Sequence, residues 1–121
     1  MIRIAIVGTG NIAHAHVGAY KQFPDRCQIV ALVDIVPEKA QRMKEQYGLD
    51  AEVYDDHLKI LGRTDIDLVD VCTPPYVHAS ISINALRSGK NVVCEKPMAA
   101  SLEECDAMLR ARDESGKKLS I

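Results

Sequence analysis

Apolar residues in this chain fall into short blocks, and stretches of helical periodicity separate the blocks. Arg3–Val7, Gln28–Val33, Glu52–Tyr54, Leu68–Cys72 and Asn91–Cys94 each read as a strand, and Lys118–Ile121 opens a sixth. Ile29–Val33 is five apolar residues in a row with no polar alternation. Such a run belongs to a strand covered on both faces, as strands of parallel sheets are.

The segments between the blocks predict helices. One runs from about Asn11 to Gln22 and is closed by Phe23-Pro24. A second starts at Pro37, a residue suited to a first helical position, carries Ala40, Met43 and Tyr47 on one side, and stops at Gly48. Asp55 or Asp56 can cap a short helix holding Leu58 and Leu61. Thr73-Pro74-Pro75 ends the fourth strand and leads into a helix from about Tyr76 to Ser88, ended by Gly89. A last helix starts at Ser101, with Glu104 completing a capping box and Leu102, Cys105, Met108 and Leu109 as the expected buried stripe.

Strands alternating with helices through short connections predict an α/β fold, a doubly wound parallel sheet of the Rossmann type. Right-handed crossovers give the order 3-2-1-4-5-6, with the ligand crevice where the order reverses, between strands one and four. The 121 residues make one domain, residues 1–121, with no internal repeat or linker.

The turn after strand one carries the first chemistry. Ile4-Ala5-Ile6-Val7 breaks into Gly8-Thr9-Gly10-Asn11-Ile12-Ala13, a Gly-x-Gly-x-x-Ala pattern. A strand that turns on glycine and restarts as a helix aims backbone N–H groups and the helix dipole at one point, which suits a phosphate. Gly8 allows the tight turn, Gly10 lets a pyrophosphate approach the main chain, and Ala13 lets the helix pack on its strand. Asp34 follows Ala13 by 21 residues, at the end of strand two, where the ribose-binding acid of a dinucleotide fold belongs. A carboxylate there disfavours a 2′-phosphate: two unit charges 4 Å apart repel by about 4 kcal/mol at an effective dielectric near 20. The expected cofactor is NAD rather than NADP.

Neighbouring strands lie about 4.8 Å apart, so the tips carrying Gly8, Thr73 and Glu95-Lys96 fall within roughly 10 Å on one edge. The layout separates an adenosine half, held by Gly8 to Ala13 and Asp34, from a nicotinamide half under Thr73 and Lys96.

Composition narrows the field. Fifteen basic and 17 acidic residues leave a formal charge of −2, which predicts neither a nucleic-acid partner nor a membrane surface. No apolar run approaches the roughly 20 residues of a membrane span. Strand one is too short for a signal-peptide core, so the expected location is cytoplasmic. Cys27, Cys72, Cys94 and Cys105 form no Cys-x-x-Cys pair and read as reduced, buried small residues. His14 and His16 point in different directions on a helix, so no metal is expected.

On these motifs the chain resembles the N-terminal domain of the glucose-fructose oxidoreductase, inositol dehydrogenase and MocA family. The resemblance covers essentially all 121 residues and rests on four stretches. They are Gly8–Ala13 with His16, Asp34 with Pro37-Glu38-Lys39-Ala40, Cys72-Thr73-Pro74-Pro75 with His78, and Gly89-Lys90-Asn91-Val92-Val93-Cys94-Glu95-Lys96-Pro97-Met98. The last block is the most specific.

The resemblance implies an NAD(P)-binding domain followed, in family members, by a second α/β domain that holds the sugar or cyclitol and supplies a histidine for proton transfer. This chain lacks that domain and reads as part of a longer enzyme, inactive by itself. The activity implied for the whole protein is hydride transfer between a nicotinamide cofactor and a sugar, cyclitol or related polyol. Reduction of a cyclic imine, hydride-initiated glycoside cleavage, and a non-catalytic NAD-sensing role are the alternatives.

Lys96 is the candidate catalytic residue, because Pro97 keeps it extended past the strand tip. It is expected to orient and polarise the substrate oxygen. Thr73, Pro74 and Pro75 read as a wall under the nicotinamide ribose, and Glu95 as a ligand of the ribose hydroxyls. For His78, cofactor contact and helix packing both stay open, and His16 reads as structural. The Lys-Pro and Thr-Pro peptides are places to look for a cis bond. The unfinished sheet edge predicts self-association, a homo-oligomer.

Overall fold

The computed structural model describes all residues, 1–121. Six parallel strands form one sheet in the order β3-β2-β1-β4-β5-β6. They are β1 (Ile2–Val7), β2 (Cys27–Val33), β3 (Glu52–Tyr54), β4 (Leu68–Val71), β5 (Asn91–Cys94) and β6 (Leu119–Ser120). Four α-helices cover the sheet: α1 (Asn11–Tyr20), α2 (Pro37–Tyr47), α3 (His78–Arg87) and α4 (Leu102–Ser115). This is the Rossmann arrangement, with the order reversing between β1 and β4.

Alternation along the strands divides the core in two. Ile4 and Ile6 of β1 pack with Ile29, Leu32, Ala13, Val17, Ala40 and Met43, the side covered by α1 and α2. Ala5 and Val7 face the other way, with Val69, Val71, Val92, Leu86, Met108 and Ala111 on the side of α3 and α4. Both faces of the central strands are therefore dry, and each needs the unbroken apolar runs the sequence carries. One polar side chain interrupts this: Asp70 of β4 is fully buried.

Local chemistry sets the element ends. Pro37 sits in the first turn of α2, and Gly48 ends it in the left-handed conformation, φ 62°. Asp56 caps a 3₁₀ turn, His57–Ile60, by accepting from the Leu58 N–H at 2.9 Å. Ser101 caps α4, accepting from the Glu104 N–H at 3.2 Å.

Two expectations change. The helix expected from Tyr76 begins instead at His78, because Pro75–Val77 forms a 3₁₀ turn in which the Val77 N–H reaches only to the Pro74 carbonyl. In α4 the buried line runs through Met108 and Ala111, with Cys105 and Leu109 half-buried, while Leu102 is 83% exposed. Leu102 lies in the first turn, which the sheet does not cover.

Candidate functional site

The strand ends assemble the site. Val7 pairs with Val33 on one side and with Val71 on the other, and Val71 pairs with Cys94. The residues that follow, Gly8, Asp34, Cys72 and Glu95, therefore stand level along one rim. Gly8 has φ 93°, and a Cβ on it would lie 2.8 Å from the carbonyl carbon and oxygen of Cys72. Only glycine lets the β1 turn nest against the end of β4. Gly10 differs: a Cβ there would meet nothing within 4 Å. The space in front of Gly10 is open, as an approaching phosphate requires.

No side chain caps α1, and its first turn carries no acid. The exposed first-turn residues Asn11 and Ile12 thus present a helix N-terminus whose donors lack an internal partner. Thr9, by contrast, is buried, with both its donors committed. Its N–H and hydroxyl donate to Asp34 Oδ2 at 2.9 and 2.7 Å. Thr9 thus ties the loop to the acid.

Asp34 Oδ1 accepts from the Val36 N–H at 2.9 Å. Partial burial opposes ionisation of Asp34, but the bonds from Val36 and Thr9, helped by the nearby charge of Lys39, outweigh it. Its carboxyl is held below the usual range. Asp34 is an anion at neutral pH with its position fixed before any ligand arrives.

A crevice of about 540 Å³ opens beside it, lined by Gly8, Asp34, Ile35, Thr73, Pro74 and Tyr76 among others. Thr73 Oγ1 is buried with no hydrogen-bond partner. Such an orphaned hydroxyl costs free energy until something polar meets it. Pro75 lies just outside, at the start of the 3₁₀ turn.

His78 packs at the start of α3 as a clamp. It is 1% exposed, and its ring nitrogens lie 2.8 Å from the Pro97 carbonyl oxygen and 2.7 Å from that of Thr73. The ring is thus wedged between the connections that follow β4 and β5. The peptide Lys96-Pro97 is cis, whereas Thr73-Pro74 is not. Lys96 is exposed at the tip of β5. Glu95 is partly buried, and its N–H donates to the Val71 carbonyl at 2.9 Å. Glu95 and Lys96 do not line the crevice; they stand further along the rim, beyond β4.

A buried polar cluster lies under this rim. Asp70 Oδ2 takes the Tyr20 hydroxyl at 2.7 Å and His16 Nδ1 at 2.6 Å, and Asp70 Oδ1 accepts from the Cys72 thiol at 3.5 Å. His16 Nε2 faces Glu95 Oε1 at 3.6 Å. Burial first, then the charge of Asp70, push the Tyr20 phenol and the Cys72 thiol well above their usual ranges. His16, Asp70 and Cys72 place donor atoms within 4.8 Å of one another. His16 and Cys72 are both already bonded to Asp70 within this cluster.

The sequence reading missed Asp70, Tyr20 and Cys72 as a unit. The available signal was an acid in the middle of Leu68-Val69-Asp70-Val71-Cys72, a strand that has to be covered on both faces.

Residues 2–121 match the family model described as oxidoreductase family, NAD-binding Rossmann fold. The chain belongs to the Gfo/Idh/MocA oxidoreductase family. It is the NAD-binding Rossmann domain of such a protein. Among curated relatives, the inositol 2-dehydrogenase of Burkholderia cenocepacia is 32% identical over 118 residues, 98% of this chain and 35% of the relative. The 2,7-anhydro-N-acetylneuraminate hydratase of Mediterraneibacter gnavus is 40% identical over 112 residues, 93% of this chain and 29% of the relative.

Among solved structures, the WlbA dehydrogenase of Bordetella pertussis in complex with NADH and UDP-GlcNAcA superposes with a TM-score of 0.90 at 33% identity, covering 98% of this chain and 36% of that one. Levoglucosan dehydrogenase in complex with NADH gives 0.89 at 28% identity, with 98% and 34% covered. The chain thus spans about a third of the length of these Gfo/Idh/MocA relatives. No helix of the domain is long and apolar enough to cross a membrane.

Proposed function

We propose that this Gfo/Idh/MocA domain binds NAD along the rim from Asp34 to Lys96, and that the whole protein transfers a hydride between that cofactor and a hydroxyl-bearing carbon of a sugar, cyclitol or polyol. The observation that carries the reading is the pairing of an uncapped α1 N-terminus, open in front of Gly10, with a pre-ionised Asp34 beside it. Bound relatives with NADH support the choice of cofactor, and their sugar ligands support the substrate class.

The residues present fit a dinucleotide. Gly10, Asn11 and Ile12 offer backbone donors to a pyrophosphate, because nothing else satisfies the start of the helix. Asp34 accepts from ribose hydroxyls and repels a 2′-phosphate. Ile35 and Tyr76, both largely exposed on the crevice walls, give a flat base apolar surface to cover. The unpartnered Thr73 hydroxyl gains a hydrogen bond from a ligand on the nicotinamide side.

NAD, when bound, supplies the hydride acceptor for alcohol oxidation. Lys96 orients the substrate oxygen with its ammonium group and stabilises negative charge developing there as the hydroxyl proton leaves. Its exposure at the tip of β5 leaves the side chain open to a substrate.

Isothermal titration of the 121-residue domain tests the cofactor half: NAD should bind, and NADP at least tenfold more weakly. Equal affinity for the two, or none for NAD, overturns it. For the whole protein, net accumulation of NADH with a polyol distinguishes dehydrogenation from a hydratase reaction such as one relative's name describes.

A further inference from the structure

The NAD reading leaves unexplained why a carboxylate, a phenol, an imidazole and a thiol are gathered in the driest part of the sheet. Asp70 is 0% exposed on a strand otherwise occupied by Leu68, Val69, Val71 and Cys72. A charge in that place is strongly unfavourable unless its lone pairs are met. They are met by Tyr20, His16 and Cys72.

Tyr20 and Cys72 suffice for a static solution, one on each carboxylate oxygen. His16 adds a direction. Its Nδ1 is bound to Asp70 at 2.6 Å, and the opposite side of its ring reaches Glu95 Oε1 at 3.6 Å. His16 comes from α1, directly behind the phosphate turn, and Glu95 from the tip of β5, directly before Lys96. The imidazole is the one side chain that joins the adenosine-side helix to the nicotinamide-side strand tip.

We infer that His16 is a positioning residue: held by Asp70 at one nitrogen, it fixes the Glu95 carboxylate with the other, so that Glu95 is pre-set for the nicotinamide ribose. The inference rests on the NAD reading and goes beyond it, because it assigns a function to a residue that would not touch the cofactor. With Nδ1 committed to Asp70, the ring cannot swing away, and its opposite edge stays turned toward the Glu95 carboxylate. A fixed acceptor binds its ligand without the ordering cost of a free glutamate. The effect therefore belongs to ligands that reach the nicotinamide ribose and is absent for those that stop at the diphosphate.

Titration of the 121-residue chain with NAD and with ADP tests this, the ratio of the two affinities being the readout. His16→Asn keeps an amide donor near the Nδ1 position and the bond to Asp70 but cannot reach Glu95. His16→Gln places its amide near the Nε2 position without the bond to Asp70 and should rescue in part. Expected are an ADP affinity within about twofold of wild type in both, a NAD-to-ADP ratio about threefold to tenfold lower in His16→Asn, the scale of one short-range polar contact, and an intermediate ratio in His16→Gln, which faces Glu95 but gives up the bond to Asp70. Glu95→Gln should lower the ratio equally, and the double variant His16→Asn/Glu95→Gln should be no worse than either single one.

A ratio unchanged in His16→Asn but lowered in Glu95→Gln overturns the inference and leaves the NAD reading intact. An equal loss of ADP and NAD affinity overturns it in favour of a purely structural role. Failure of the wild-type chain to bind NAD, while ADP binds, sinks the NAD reading itself. Should neither His16 variant fold, the His16 ring signals in the NMR spectrum of Glu95→Gln decide. They should shift relative to wild type, and unmoved signals overturn the inference.

Discussion

Thr9 and Asp34 are joined twice: the backbone N–H and the hydroxyl of Thr9 both donate to the same carboxylate oxygen, at 2.9 and 2.7 Å. The acid that meets a ribose in the proposed complex is thus also what holds the phosphate turn in shape. Asp34→Asn should weaken both roles. We expect NAD affinity to fall about tenfold and the preference over NADP to shrink, since the repulsion of a 2′-phosphate goes with the charge. Titration with both cofactors measures the two effects separately.

The two glycines of the turn should separate folding from binding. Gly8→Ala forces a side chain into a left-handed backbone and against the Cys72 carbonyl, at 2.8 Å. A loss of about 1–3 kcal/mol is expected from the backbone alone, and more from the contact. Gly10→Ala meets no protein atom within 4 Å. Its stability should change by less than about 1 kcal/mol, while the methyl group fills the space a pyrophosphate needs. Urea denaturation together with NAD titration of both variants checks the contrast.

Stability should decline at both ends of the pH scale, for different groups. Asp34, Asp67 and Asp65 sit below their ordinary value of 3.8, Asp65 at about 2 through its bond to Arg63. Carboxyls lowered by folding stabilise the native state above pH 3.8, and that contribution disappears as the pH falls through the folded values. Tyr20 and Cys72 are raised above 10.0 and 9.0, and Cys94 to about 11. Their contribution is whole below pH 9 and is lost as the pH climbs beyond it. Asp70→Asn removes part of the raise on Tyr20 and Cys72, so its alkaline limb should be shallower. Thermal melts from pH 3 to pH 11 read both limbs.

Lys96 makes no contact on which the fold depends, so Lys96→Met should melt like wild type. In the whole protein we expect turnover to fall about a hundredfold, in line with the loss of a group that stabilises developing negative charge, with NAD affinity nearly unchanged. Steady-state kinetics alongside cofactor titration checks this, and undiminished turnover refutes the assignment.

Much of this was legible in the chain. Uninterrupted runs such as Ile29–Val33 permit only strands covered on both sides, and the short connections leave little choice of topology. The glycine turn and Asp34 were readable because each needs one residue type at one place. The network of Asp70, His16, Tyr20 and Cys72 was not, because its members are 54, 50 and 2 residues from Asp70 and meet only when α1 docks on β4. The partners of Thr9 and His78 were hidden for a related reason. Sequence shows that a polar group stands near the rim, but only the folded chain shows that the protein itself has already used it.

The ring of His78 touches the main chain after β4 and the main chain after β5 at once, through Thr73 and Pro97. Two connections that would otherwise sway independently are thereby welded into one plate. A displacement of Thr73 therefore presses, through the imidazole, on Pro97, the residue next to Lys96, so a push at one strand tip is passed to its neighbour.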